Sequence, residues 1–112
     1  MSATMAESKS RSAKETKRSL TRQQQLRQAA LLFQKASVPT RFQVLLMLTQ
    51  GEKSVGELCA EVEQTQPAMS HHLAILRHSG IVRSRRHGYH SYYQLTELGE
   101  QLAAIAGATL GM

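Results

Sequence analysis

The chain has 112 residues, enough for one small domain and too few for two. Its formal net charge of +6 and pI near 10.0 favour a polyanionic partner over an acidic small substrate. A single cysteine excludes an intrachain disulfide framework, and no apolar run approaches the roughly 18 residues of a membrane span, so a soluble cytoplasmic protein is expected.

Residues 1–20 are rich in Ser, Ala, Lys and Arg and hold too few large apolar groups to order themselves, which predicts a flexible basic tail. Lys9, Arg11, Lys14, Lys17 and Arg18 outnumber Glu7 and Glu15. The tail reads either as a solvated leader or as a source of nonspecific DNA contacts. Residues 21–112 then form the folded domain.

A first helix is predicted from Thr21, with Gln24 completing a capping box, to about Ala36. Leu26, Ala29, Ala30, Leu31, Leu32, Phe33 and Ala36 cover more than one stripe, so this helix either crosses the core or meets a partner subunit. The next helix, about Pro39 to Thr49, carries Phe42, Leu45, Leu46 and Leu48, stops at Gly51, and is the expected centre of the core.

Ser54-Val-Gly-Glu57 is a capping box that opens a third helix with Val55, Leu58, Cys59 and Val62 at helical spacing, ending near Glu63. A fourth helix follows the N-cap Thr65, with Pro67 in its first turn and Gly80 as its stop. At about 100° per residue, Ala68, Met69, His72, Leu73, Ile75 and Leu76 share one buried arc. The other arc holds Gln66, Pro67, Ser70, His71, Ala74, Arg77 and His78, with no carboxylate among them.

Short side chains with bidentate donors and acceptors on one helix face are what readout in a major groove requires. Gln66, Ser70 and His71 lie in the first turns, where base contacts are made, and Arg77 lies further along, within reach of phosphate. An ordinary solvated helix face would have the same spacing, and the flanking elements shift the balance toward a DNA-facing surface. After Gly80 the period changes to two: Ile81 and Val82 lead into Arg83-Ser84-Arg85-Arg86, His87-Gly88 is the predicted turn, and Tyr89 to Leu95 return. No acid occurs between Glu63 and Glu97, so the three arginines and two histidines of this hairpin, Arg83, Arg85, Arg86, His87 and His90, repel one another unless a polyanion neutralises them. A wing lying along a DNA backbone meets that need.

The run Thr65 to Leu95 resembles the winged helix-turn-helix signature of the ArsR/SmtB family of bacterial repressors. Ser70, His72 and Leu73 match its Ser-x-His-Leu pattern, and Gly88, Tyr92, Tyr93 and Leu95 match its Gly-x-x-x-Tyr-Tyr-x-Leu pattern. Pro39-Thr40-Arg41 matches the opening of the family's second helix, so the resemblance spans roughly Leu26 to Leu102. It implies a mostly helical α+β fold, about five helices and a two-stranded wing. It also implies a homodimer in which the first and last helices pair across a two-fold axis. The last helix follows Thr96, and its stripe of Leu98, Leu102, Ile105 and Thr109 suits that pairing or packing on its own core.

The resemblance bears on sensing too. Many family members bind metal through a Cys-x-Cys pair before the recognition helix, or through Asp, His and Glu on the last helix. The cysteine positions fall here on Ser54 and Gly56, and the last helix has no His, Asp or Cys, so neither common metal site is expected. Dithiol sensing needs two cysteines, and Cys59 is alone. Cys59 reads as a small core residue, with a lone redox sensor or a share in a metal site across the dimer as the alternatives. The five histidines, His71, His72, His78, His87 and His90, offer no i, i+4 or i, i+3 pair with a third ligand at hand. His72 is expected to be a hydrogen-bonded packing residue.

Neither a phosphate-binding Gly-rich loop nor a catalytic constellation is present, so no enzyme and no cofactor are expected. The predicted function is a sequence-specific, homodimeric transcriptional repressor binding double-stranded DNA at an inverted repeat. Its DNA-binding residues are predicted to be Gln66, Ser70, His71, Arg77, Arg85, Arg86 and His87, with operator and inducer undetermined. The alternative is a DNA-coating or protein-docking winged helix that senses no signal.

Overall fold

The computed structural model describes residues 20–111, in two units divided between Leu32 and Phe33. Of the predicted tail, only Leu20 lies within the described residues. In the first unit, Thr21 caps α1 (Arg22–Ala36) by the predicted box. Gln24 N–H donates to Thr21 Oγ1 at 3.1 Å, and Thr21 N–H donates to Gln24 Oε1 at 2.9 Å. Leu26 and Leu31 are both about half exposed, at 51% and 53%.

The second unit starts in the last turn of α1, where Ala36 is buried. Pro39 opens α2 (Pro39–Leu48) in the first turn, where its missing amide hydrogen costs nothing. The inward row is Arg41, Val44, Leu45 and Leu48, the i, i+3, i+4, i+7 stripe, joined by Met47. Phe42 and Leu46, expected in the core, are only half-buried. An apolar helix can choose either flank, and the face bearing these two lines a groove of about 520 Å³ with Pro39, Ile105 and Leu110.

The predicted capping box of α3 (Val55–Val62) forms, with Glu57 N–H on Ser54 Oγ at 3.2 Å and Ser54 N–H on Glu57 Oε1 at 2.8 Å. These bonds hold the Glu57 carboxyl below its usual range. The turn into α4 (Gln66–His78) passes through Glu63 at φ 56°, left-handed backbone that glycine ordinarily takes. Thr65 Oγ1 accepts from Ala68 N–H at 3.2 Å.

A Schellman motif ends α4. Ile81 N–H donates to Leu76 O at 2.9 Å and Gly80 N–H to Arg77 O at 3.0 Å, with Gly80 at φ 75°. Leu76 and Ile81, the apolar pair that goes with this motif, are both fully buried. With Val44, Leu45, Leu58, Met69, Leu73 and Val82 they make the core. Each such aliphatic side chain contributes about 1.5–3 kcal/mol on burial.

The sheet has three antiparallel strands in the order β1-β3-β2, one more than expected. β1 is only Lys53–Ser54, too short to show alternation, and pairs with Tyr93 and Tyr92 of β3 (His90–Leu95). β2 (Val82–His87) pairs with β3 from Val82↔Leu95 to His87↔His90. The hairpin turn is therefore Gly88-Tyr89, one residue later than predicted, with Gly88 at φ 64° in the first central position that a type II′ turn reserves for glycine.

Thr96 caps α5 (Glu97–Thr109) and ties it to the end of α4: its N–H donates to Ile81 O at 3.1 Å, and its hydroxyl lies 2.6 Å from Gly80 O and 3.0 Å from Ile81 O. The inward row of α5 is Gly99, Leu102, Ala103 and Ala106. Of the predicted stripe only Leu102 is buried, whereas Leu98 is half-buried and Ile105 and Thr109 are exposed. Gly99 is required there, because a Cβ would overlap the Ile81 carbonyl oxygen. Among the described residues no helix is long and apolar enough to cross a membrane.

Candidate nucleic-acid interface

Helix α4 presents Gln66, Pro67, Ser70, His71, Arg77 and His78 to solvent, while Met69, Leu73 and Leu76 are buried beneath them. The apolar side anchors the helix, so the polar side is held at fixed spacing. No acid lies in its first turn, which leaves the positive end of the helix dipole unopposed. The predicted base-reading residues Gln66, Ser70 and His71 thus share one exposed face, with Arg77 two turns on.

His72 is held from below. Arg41 Nε donates to His72 Nδ1 at 3.0 Å, and Arg41 Nη1 donates to Lys35 O at 2.9 Å, satisfying an orphan carbonyl at the end of α1. Arg41 is only 8% exposed. Burial, then the Arg41 and His71 charges, push the His72 imidazole below its usual range, so it stays a neutral acceptor. His72 is the hydrogen-bonded packing residue expected of it. Its partner was not foreseen, because Arg41 sits 31 residues earlier.

The wing is two-sided. Register sets Arg83, Arg85 and His87 on one face with Gln94, Tyr92 and His90, and Val82, Ser84 and Arg86 on the other with Leu95, Tyr93 and Ser91. Arg85 and Arg86, predicted as equivalent contacts, therefore point to opposite faces. Tyr89 stands at the tip, 95% exposed.

Arg85 is engaged within the chain. Its Nε and Nη2 each donate to a different oxygen of Glu52 at 2.7 Å, and its guanidinium carbon lies 5.1 Å from the centre of the Tyr92 ring. The Arg85 hydrogen bond holds the Glu52 carboxyl below its usual range and raises Arg85 in return. An acid does reach the wing, from 33 residues earlier in the chain, so the arginines are not left wholly to an outside anion. Arg83 Nε and Nη2 lie 2.6 and 2.9 Å from the Gln94 amide, turned so that its oxygen accepts. Arg86 has no ion-pair partner among the described residues.

Cys59 is a half-buried free thiol on α3, between a core position and solvent. His71 and His72 rings are 6.1 Å apart and tilted, and His87 and His90 are cross-strand partners. Among the described residues no three His, Cys, Asp or Glu side chains gather as a metal-binding group.

The chain matches the bacterial regulatory protein arsR family over residues 38–84, the span from the start of α2 into the wing. It is 40% identical over 70 residues to the biofilm growth-associated repressor of Agrobacterium fabrum, covering 62% of this chain and 60% of that one. It thus spans about three fifths of the length of the curated relatives it matches first. Its fold superposes on the transcriptional repressor BigR from Xylella fastidiosa with a TM-score of 0.69, at 35% identity over 78% of this chain and 87% of that one. It also superposes on HlyU from Vibrio cholerae, a protein named as a transcriptional activator, with a TM-score of 0.73, at 29% identity over 83% of this chain and all of the other. The chain belongs to the arsR family of bacterial regulatory proteins, and its winged helix-turn-helix fold is that family's fold.

Proposed function

We propose that this protein is a cytoplasmic transcriptional regulator that binds duplex DNA sequence-specifically and represses by occupying a promoter. The observation that carries the reading is the acid-free exposed face of α4 beside a hairpin whose exposed side chains are arginine, serine, histidine and the tip tyrosine, with no acid among them. Gln66, Ser70 and His71 read base edges in the major groove. Arg77, Arg86 and His87 contact phosphates or the minor groove. The names of the Agrobacterium and Xylella relatives favour repression; HlyU, named an activator, belongs to the same fold.

The working form is a homodimer on an imperfect inverted repeat. Phe33, Ile105 and Leu110 are 50%, 52% and 66% exposed, large apolar groups that a second copy would cover. Paired recognition helices reading half-sites about 34 Å apart double the base contacts available to one small helix. Residues 21–112 are the DNA-binding and dimerisation domain, and neither common family metal site is used.

Fluorescence anisotropy, titrated with salt, against DNA from upstream of the chain's own gene and a shuffled duplex tests the reading. The native duplex is bound at least about 10³-fold more tightly. Ser70→Ala or His71→Ala lowers that preference by about 1–3 kcal/mol at one base pair, whereas Arg86→Gln weakens both duplexes alike. Equal binding of both duplexes by the wild type would leave a nonspecific coating protein instead. Sedimentation of the free protein as a monomer at micromolar concentration refutes the dimer, and release of DNA by zinc refutes the metal-free reading.

A further inference from the structure

The wing holds three arginines, and the structure treats one of them differently. Arg85 is the member whose fork closes on a carboxylate and whose plane rests on an aromatic ring. Extending the β1–β3 register by one residue sets Glu52 beside Gln94, so Arg85, opposite Tyr92, reaches diagonally across β3 to meet it. Three strands are crossed by one side chain and its partner. Glu52 is three-quarters buried at its side chain, Arg85 about half exposed.

An isolated exposed ion pair does little, because two long side chains must be ordered to form it. Here the ordering is shared: the guanidinium plane is fixed by two parallel bonds and by Tyr92, and β1 holds Glu52 on the sheet. A planar fork that already has a carboxylate is no longer a ready phosphate ligand. Arg86, on the opposite face and without an ion-pair partner among the described residues, has no such competitor.

We propose that Glu52 is a positioning residue for DNA binding: it keeps Arg85 folded against Tyr92 as a strut that sets the wing, and so leaves the wing's arginine–phosphate contact to Arg86 on the opposite face. This rests on the DNA-binding reading above. In the bound complex the Glu52–Arg85 pair stays closed and counts as no net phosphate contact.

Two measurements on the whole 112-residue chain test it separately. In the DNA-free protein, the Arg85 Nε–H resonance is protected from solvent exchange in the wild type and loses that protection in Glu52→Gln. Arg85→Lys keeps the charge, loses the fork and loosens amide exchange in β2 and β3. An unprotected Nε–H in the wild type refutes the strut whatever the protein binds. On the upstream duplex, each phosphate contact adds about 0.9 to the slope of log affinity against log salt, about 3.5-fold in affinity between 50 and 200 mM. Arg86→Gln makes the slope shallower by that amount. Glu52→Gln steepens it by up to the same amount as the freed Arg85 finds phosphate, and adding Arg85→Gln to Glu52→Gln restores the wild-type slope. If Arg85→Gln alone flattens the slope as Arg86→Gln does while Glu52→Gln leaves it unchanged, Arg85 abandons Glu52 for phosphate and the proposal is wrong. Failure of the wild type to bind DNA overturns the proposed function and leaves the Nε–H result to judge the strut alone.

Discussion

Replacing His72 by Leu keeps the volume of the side chain and removes one acceptor. Arg41 Nε, in a residue 8% exposed, then has nothing to donate to. A hydrogen bond to a charged group contributes about 1.5–3 kcal/mol, and a buried charged donor left unmatched costs at least that much. In a domain of this size each kcal/mol moves Tm by about 4–8 °C, so His72→Leu lowers Tm by roughly 6–24 °C. Adding Arg41→Met removes the orphaned charge, and an apolar pair in place of a buried polar one is often neutral, so the double variant regains most of the loss. Thermal and urea melts followed by circular dichroism measure both.

The same pair gives stability a pH signature. The folded state holds the His72 imidazole below its ordinary value of about 6.5, whereas the unfolded chain takes up a proton at that ordinary value. This contribution is complete above about pH 6.5 and is lost as pH falls through the lowered native value. Glu52 and Glu57, also lowered, act further down, below the ordinary carboxylate range near 4.5. His72→Leu therefore removes the loss of stability that begins just below pH 6.5 and leaves the deeper acid limb. A His72→Leu variant within about 0.5 kcal/mol of wild type, or a double variant no more stable than the single one, would refute the argument.

Gly99→Ala drives a methyl group into the Ile81 carbonyl, which also accepts from Thr96. The severe overlap is with backbone, and Leu95 moving aside would not relieve it, so a loss of at least about 3 kcal/mol, the upper end for overpacked cores, is expected in a urea melt. A loss under about 1 kcal/mol would mean that α5 slides freely on the end of α4. Glu63→Gly relieves left-handed backbone at φ 56° and raises stability by up to about 1 kcal/mol. Unchanged or lowered stability there would place the strain elsewhere in the α3–α4 turn.

Local signals in the chain survived into the fold. The capping boxes at Thr21 and Ser54, the N-cap at Thr65 and the glycine stop at Gly80 are each satisfied within a few residues, so their chemistry is complete in a short window of sequence. The buried arc of α4 was legible for the same reason, because a polar face and an apolar face alternate at 3.6 residues. Where that contrast is weaker, as in α2, the inward stripe depends on neighbours, and Leu46 yields its place to Val44. In α5 the row turned to the chain's own core is Gly99, Leu102, Ala103 and Ala106, which leaves Ile105 of the expected stripe facing outward. The turn at Gly88-Tyr89 was missed by one residue because glycine fits either central position of a primed turn, and only cross-strand pairing chooses.

The charged residues carried the largest difference, and its cause is distance along the chain. Composition shows eight acids against fourteen bases and suggests cations held apart by repulsion. Folding brings Glu52 to Arg85 across 33 residues and Arg41 to His72 across 31. Each pairing takes a residue that the sequence advertises as a DNA contact, or as part of the recognition motif, and gives it a partner within the chain that holds the element bearing the proposed contacts. Arg41 braces α4 from below, and Glu52 braces the wing from the side. The exposed residues beyond these braces, among them Gln66, Ser70 and His71 on α4 and Arg86 on the wing, make no side-chain hydrogen bond or ion pair among the described residues. Substitutions at the braces should therefore act on every duplex through stability or wing order, and substitutions beyond them should act without moving Tm.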